Sequence, residues 1–251
     1  NKKQKWIQNI KQTVNKGKWI QNKISELLYP TVCPFCEEIN RAGICSECES
    51  KIKYVTQPHC MHCGKPLKSE EEEFCADCTG RRSWYRAGRS VWLHQEPVSG
   101  ALYRFKYHNR RCYAEIFAEK MDTKYAKQLK TWEIEEIIPI PLHRVRRRKR
   151  GFNQSKLLAE QLAQKTGIPI NRNVLYRIRN TKPLKEMDGK ERRRNLQGAF
   201  GVSSAWKPCR NVLLIDDIYT TGSTIERAAK LLRKAGAQNV YFLTVSIGQG
   251  R

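Results

Sequence analysis

Apolar residues in this chain fall in short runs, separated by stretches with helical spacing. Val212-Leu213-Leu214-Ile215 is unbroken, the pattern of a strand buried on both faces of a parallel sheet. Ile137-Ile138-Pro139-Ile140-Pro141 predicts another buried strand, ended by a rigid turn. Val174–Ile178 and Val240–Ser246 predict two more. Leu157, Leu158, Leu162 and Ala163 share a helical stripe, with Asn153 as N-cap and Gly167 as stop. Ile225–Lys234 reads as a further helix with Gly236 just past its end. Helical segments around residues 96–107 and 111–129 precede the sheet. Strands alternating with helices predict an α/β fold with a mostly parallel sheet flanked by helices.

The N-terminal pattern differs. Lys5-Trp6-Ile7-Gln8-Asn9 recurs as Lys18-Trp19-Ile20-Gln21-Asn22. Trp6, Ile7, Ile10 and Val14 can share one stripe, and Ile20, Ile24, Leu27 and Leu28 another. A basic amphipathic helix on anionic lipid or nucleic acid is one reading. A short helix packed on its own domain, or a frayed tail, is the favoured one. The chain starts at Asn1 without a methionine, so further residues are expected before it.

Chemistry begins where the Val212–Ile215 run stops. Asp216 and Asp217 are expected at the C-terminal end of that strand, followed by Thr220-Thr221-Gly222-Ser223-Thr224 and a helix. In open α/β sheets ligands bind at this end of the strands. A loop of small residues there can aim backbone N–H groups at a phosphate, beside the positive end of a helix. Carboxylates accept hydrogen bonds from ribose hydroxyls and hold Mg²⁺. A ligand with a phosphate, a ribose and a divalent metal fits all three parts. No G-x-x-x-x-G-K-[ST] occurs, so the loop is not a Walker A loop. The run resembles the PRPP-binding signature of type I phosphoribosyltransferases.

Eight cysteines form four C-x-x-C pairs. Cys33/Cys36 and Cys45/Cys48 make one set, Cys60/Cys63 and Cys75/Cys78 another. Two such knuckles complete a tetrahedral Cys₄ zinc site. Sequential pairing gives one zinc per ribbon; an interleaved pairing, with first and third knuckles sharing a metal, is the alternative. His59 and His62 lie beside the third knuckle and read as surface histidines or substitute ligands. Cys112 and Cys209 stand outside the pattern. The resulting organisation is a basic amphipathic segment at 1–30, a double zinc-ribbon module at 31–80 and an α/β domain at 81–251.

Charge narrows the partners. The 251 residues carry a formal net charge of +24. Residues 1–80 hold 12 Lys/Arg and 10 Asp/Glu, and residues 81–251 hold 36 and 14. The excess therefore belongs to the α/β region and implies a polyanionic partner. Its densest run is Arg144, Arg146, Arg147, Arg148, Lys149 and Arg150, next to the Pro139–Pro141 turn. Such a corner suits pyrophosphate in an enzyme or a nucleic-acid backbone in a binding protein. Arg179–Asn195, with Thr181, Lys182, Lys185, Arg192, Arg193 and Arg194, predicts a mobile basic loop or short helix over the site. Trp84, Tyr85, Trp92 and Tyr107 are candidates for stacking on bases. No run of about 18 apolar residues occurs, so no membrane span is expected.

Together these features resemble the ComF family of bacterial competence proteins. The matching segments are the four knuckles, Phe105-Lys106-Tyr107, Pro139 and Pro141 leading to Arg150-Gly151-Phe152-Asn153-Gln154, the Arg192, Asn195, Ala199 and Phe200 positions, and Asp216 to Thr224. The family's Thr-x-x-Gln is here Thr181-Lys182-Pro183-Leu184. The resemblance implies a cytoplasmic protein, free or peripheral at the inner face of the membrane, that handles incoming single-stranded DNA in natural transformation. It also implies a competence helicase and recombination proteins as partners. In that reading Arg144, Arg146 to Lys149 and Arg192 to Arg194 meet DNA phosphates. The alternative is an active phosphoribosyltransferase. Thr220 to Thr224 and Arg150 would then hold PRPP, with Asp216 and Asp217 on the ribose and Mg²⁺.

Overall fold

A computed structural model describes residues 30–178 and 198–248. The 1–28 repeat, Leu184 and Arg192 to Arg194 lie outside the described residues. The chain divides into two compact units, Asn1–Ser50 and Lys51–Arg251.

In the described part of the first unit, Cys33, Cys36, Cys45 and Cys48 come together, the last of them on the short helix α1 (Ser46–Lys51). The second unit is built on four parallel strands. These are β1 (Ala87–Leu93), β2 (Glu136–Pro139), β5 (Asn211–Tyr219) and β6 (Asn239–Ile247), in the order β1-β6-β5-β2. Strand β6 is central, and Val240, Phe242, Leu243, Val245 and Ile247 are fully buried. Its near-continuous apolar run reflects burial on both faces.

Side chains alternate between the faces. Val212, Leu214, Val240 and Phe242 share a core with Ile225, Ala228, Ala229 and Leu232 of α6 (Ser223–Lys234). The same core holds Val174, Leu175 and Phe200 from the antiparallel hairpin of β3 (Leu175–Arg177) and β4 (Phe200–Val202). The predicted strand at 174–178 therefore exists, but outside the parallel sheet. The intervening positions face α3 (Tyr113–Thr131) and α5 (Gln154–Thr166), which pack against each other and against the sheet. Helices α2 (Val98–Tyr107) and α4 (Arg144–Arg150) complete the described elements.

Strand β1 has no counterpart among the predicted strands. Arg89 and Ser90 interrupt its apolar pattern, yet both are buried. Arg89 Nη1 donates to the carbonyls of Met61 (3.3 Å) and Gly88 (2.8 Å). The hydroxyls of Ser90 and Thr244 lie 2.6 Å apart. A Cβ at Gly88 would stand 2.0 Å from the Phe242 ring, so only glycine lets that ring lie against the strand.

The second cysteine cluster belongs to this unit. Cys60, Cys63 and Cys78 join the same buried core as α6 and the sheet. The Gly88 N–H donates to the His62 carbonyl at 2.7 Å. The ribbon is sewn to the first strand by backbone bonds as well as by packing.

Candidate functional site

Strand β5 runs on through both carboxylates to Tyr219, further than its apolar run predicts. Asp216, Ile218 and Tyr219 still pair with Thr244, Ser246 and Ile247 of β6. On the other side β2 stops at Pro139, opposite Ile215. The acid pair therefore sits within β5 but beyond the end of its neighbour, and its side chains face a cleft rather than another strand.

That cleft has a volume of about 270 Å³ and is lined by Lys106, Arg146, Arg150, Arg177, Asp216 and Asp217, with Thr220 and Thr224 of the loop. Four cations from three segments, the end of α2, the helix α4 and the strand β3, surround two carboxylates. Lys106 Nζ lies 2.6 Å from Asp217 Oδ2, with both side chains largely buried. Gln154 Nε2 approaches the same oxygen at 3.4 Å. Ser155 Oγ donates to Asp216 Oδ1 at 2.8 Å, and the Asp217 N–H donates to it at 2.9 Å.

The two carboxyls titrate in opposite directions. Burial, reinforced by the charge of Asp217, pushes Asp216 up to about 7. Burial also acts upward on Asp217, but Lys106, then Arg150 and Gln154, outweigh it and hold Asp217 below its ordinary value. Burial and the neighbouring Arg146 push Arg177 down to about 10, while Asp216 pulls the other way. The contacts with Lys106, Gln154 and Ser155 engage Asp216 Oδ1 and Asp217 Oδ2, and the other oxygen of each carboxylate is Asp216 Oδ2 and Asp217 Oδ1. They are the oxygens that could meet ribose hydroxyls or a divalent cation.

The loop after β5 forms its own small cradle of residues 218–225. Gly222 has φ = 71°, the left-handed conformation that favours glycine. A Cβ there would meet the Tyr219 hydroxyl at 2.4 Å. Thr221 Oγ1 and Ser223 Oγ lie 2.9 Å apart across the turn. Helix α6 starts at Ser223, so its N-terminal N–H groups open onto the cradle.

Below the loop, Tyr219 stacks on Phe242 at 4.7 Å, and its hydroxyl lies 2.8 Å from that of Tyr85. Tyr85 in turn stacks on His62, whose Nε2 lies 2.9 Å from the Tyr85 carbonyl oxygen. His62 thus serves packing and stands outside the cysteine cluster. Tyr85 and Trp92 are buried, which removes both from the candidates for base stacking. Trp84 and Tyr107 are exposed.

The basic run is the helix α4, and helical spacing sorts its charges. Arg146 and Arg150, four residues apart, face the acid pair. Arg144 and Arg147, three apart, line a neighbouring cleft of about 680 Å³ with Lys156, Arg172 and Tyr176. Arg148 and Lys149 are exposed and line neither. Arg177, Asn153, Pro141 and Leu142 border both clefts, which makes the two continuous. Asn153 stands at the N-cap of α5 as predicted, but its side chain makes no cap bond and donates to the Ile140 carbonyl at 3.0 Å.

Each cysteine set brings four thiols together, with all Sγ atoms within 4.8 Å of one another. Cys36 and Cys45 Sγ are 3.8 Å apart, Cys63 and Cys75 Sγ 3.6 Å. Tetrahedral zinc with Zn–S bonds of ~2.3 Å needs sulfurs about 3.8 Å apart. A disulfide needs ~2.05 Å. The knuckles pair sequentially, which removes the interleaved alternative, and the donor sets fit structural zinc.

Residues 24–79 match the double zinc ribbon domain family, and residues 148–247 the phosphoribosyl transferase domain family. Over 209 residues the chain is 36% identical to "Competence protein F" of Haemophilus influenzae, covering 80% of this chain and 89% of that one. The chain belongs to the ComF family. It is also 32% identical to "Competence protein ComFC" of Bacillus subtilis, over 80% of this chain and 83% of that one. It is 28% identical to "DNA utilization protein YhgH" of Salmonella typhimurium, over 85% and 96%.

Within this ComF framework the structure adds residues that sequence reading did not place at the site. Lys106 ends up on Asp217 because the last turn of α2 points at the end of β5. The Phe105-Lys106-Tyr107 segment was its only signal. Arg177 comes from the hairpin, and Gln154 and Ser155 from the first turn of α5.

Proposed function

We propose that this ComF protein binds PRPP, or a closely related ribose phosphate, in the acid-pair cleft and handles single-stranded DNA along the adjoining basic groove during natural transformation. The observation that carries this reading is the continuity of the two clefts through Arg177 and Asn153. The 5′-phosphate belongs in the cradle of Thr220 to Thr224, and the ribose on Asp216 Oδ2 and Asp217 Oδ1. Lys106, Arg146 and Arg150 suit a pyrophosphate group by charge. Arg144 and Arg147 offer phosphate contacts to a strand passing through the neighbouring groove. The reading places the protein in the cytoplasm, alongside a competence helicase and recombination proteins. No helix among the described residues is long and apolar enough to cross a membrane.

Phosphoribosyl transfer is the second reading, supported by the acid pair and loop meeting in one cleft. Bound Mg²⁺ would add charge stabilisation to a departing pyrophosphate. The protein's own part would be to orient the ribose on Asp216 and Asp217 and to receive pyrophosphate on Lys106, Arg146 and Arg150.

Calorimetric titration with PRPP, with and without Mg²⁺, and anisotropy titration with a single-stranded oligonucleotide test both readings. The expected result is binding of each, with Asp217→Asn weakening PRPP and sparing DNA. Absence of PRPP binding would assign the loop to another phosphate. Absence of DNA binding at low salt would leave the transferase reading in front.

A further inference from the structure

The parallel sheet has a second end, far from the acid pair. The Arg86 N–H donates to the Val240 carbonyl at 2.7 Å, and β6 begins at Asn239. Residues 82–86 and 238–240 therefore mark the N-terminal edge of β1 and β6. Eight steps along β6 at ~3.3 Å each put this edge roughly 25 Å from the ligand end.

A cleft of about 450 Å³ opens there. Its lining includes Arg82, Trp84, Arg86, Arg233, Gln238 and Asn239, and no carboxylate among the described residues lines it. Trp84 is 40% exposed, unusual for so large an apolar ring. It is not loosely held. Its backbone N–H donates to the Glu226 carboxylate at 3.2 Å, and Lys230 Nζ lies 5.4 Å from its ring centroid. Arg86 Nη1 reaches Asn239 Oδ1 at 3.5 Å, and Arg233 Nη1 donates to the Ala237 carbonyl at 3.2 Å. Those contacts hold two guanidinium groups at the rim and leave each with further donors.

Three arginines in the lining repel a free cation from such a cleft. A lone phosphate would use the arginines but not the indole. A second copy would bring another strongly basic surface against this one, since the excess charge lies in residues 81–251. A single-stranded nucleic acid uses every part: a base on the indole, phosphates on the arginines, amide groups at a base edge. We propose that this cleft is a second single-stranded nucleic-acid site, with a base stacked on Trp84 and flanking phosphates on Arg82, Arg86 and Arg233. It rests on the nucleic-acid reading above but lies across the sheet from the groove used there.

The test is fluorescence anisotropy with an oligothymidine, using the full chain and its Trp84→Ala, Trp84→Tyr, Arg82→Ala and Arg147→Ala variants. Loss of one stacked base should weaken binding about tenfold in Trp84→Ala, and Trp84→Tyr should restore most of it. Arg82→Ala should flatten the slope of log K against log salt by about 0.7. A bromouracil-substituted strand should photocrosslink to the peptide containing Trp84. Unchanged affinity in Trp84→Ala, with crosslinks elsewhere, would overturn this site while leaving the nucleic-acid reading intact. No binding by the unsubstituted chain at low salt would overturn both. A change in sedimentation mass in Trp84→Ala, with DNA affinity unchanged, would assign the cleft to a second copy and overturn the proposal.

Discussion

Lys106 Nζ and Asp217 Oδ2 form a 2.6 Å ion pair between the end of α2 and the end of β5. The pair is largely shielded from water, so each charge depends on the other. Lys106→Met should destabilise the protein by about 3 kcal/mol at pH 7, because it strands a buried carboxylate. The double variant Lys106→Met/Asp217→Asn should recover most of the loss. Urea unfolding of the four proteins in a double-mutant cycle checks this, and simple additivity would contradict it.

Asp216 should give the protein a pH dependence whose sign follows from its raised value. Its folded value of about 7 lies above the unfolded carboxylate value. Below about pH 4 both states carry the proton, and between there and about pH 7 only the folded state keeps it. Its contribution to stability is therefore lost as pH rises through that window. Asp217, held low, acts only at the acid end. Asp216→Asn should gain stability relative to the unsubstituted protein at pH 8 and gain less at pH 5. Denaturant unfolding at the two values measures the difference, and equal gains would refute it.

The α4 charges should separate by position. Arg146→Ala should weaken PRPP or pyrophosphate binding. Arg147→Ala should weaken all oligonucleotides alike and flatten the salt slope by about 0.7. Arg148→Ala/Lys149→Ala should do neither. Calorimetry with pyrophosphate and an anisotropy salt series on each variant decide the matter. Equal effects at all four positions would mean that the helix acts only as a diffuse charge.

Gly222→Ala should lower ligand affinity at least tenfold while leaving most of the fold in place. The left-handed backbone alone strains alanine by about 1 kcal/mol. The Tyr219 hydroxyl blocks the new Cβ as well. Circular dichroism and PRPP titration together test the claim, which fails if affinity is unchanged.

Elemental analysis should find about two zinc ions per chain, one for each Cys₄ set. Cys63→Ser should lower that count by about one and should also weaken ligand binding at the loop. Fewer than about one zinc per chain, with disulfides detected by mass, would defeat the assignment.

The strand, acid pair and turn before α6 and the cysteine sets were legible because their patterns are local. An apolar run followed by two acids and a small-residue turn, or four thiols in C-x-x-C spacing, carries its meaning within a few residues. Lys106 was not legible as a site residue, since its partner is supplied by a distant strand. Strand β1 was hidden for a related reason. Gly88, Arg89 and Ser90 look wrong for a central sheet, and only Phe242, Met61 and Thr244 show what each does there. Trp92 and Tyr85 misled in the opposite sense: near basic residues they look like stacking platforms, and the fold spends them on its core.

His62 stacked on Tyr85, and the Tyr85 hydroxyl against that of Tyr219, make a path from the Cys60–Cys63 knuckle to the floor beneath Gly222. A turn that is to grip a phosphate needs something rigid underneath it, and zinc held by that knuckle would make the scaffold partly inorganic in origin. Metal supply would then become an input to ligand grip. A shortage of zinc, or oxidation of those thiols, would register in the cleft as a loosened turn even though no cysteine lines it.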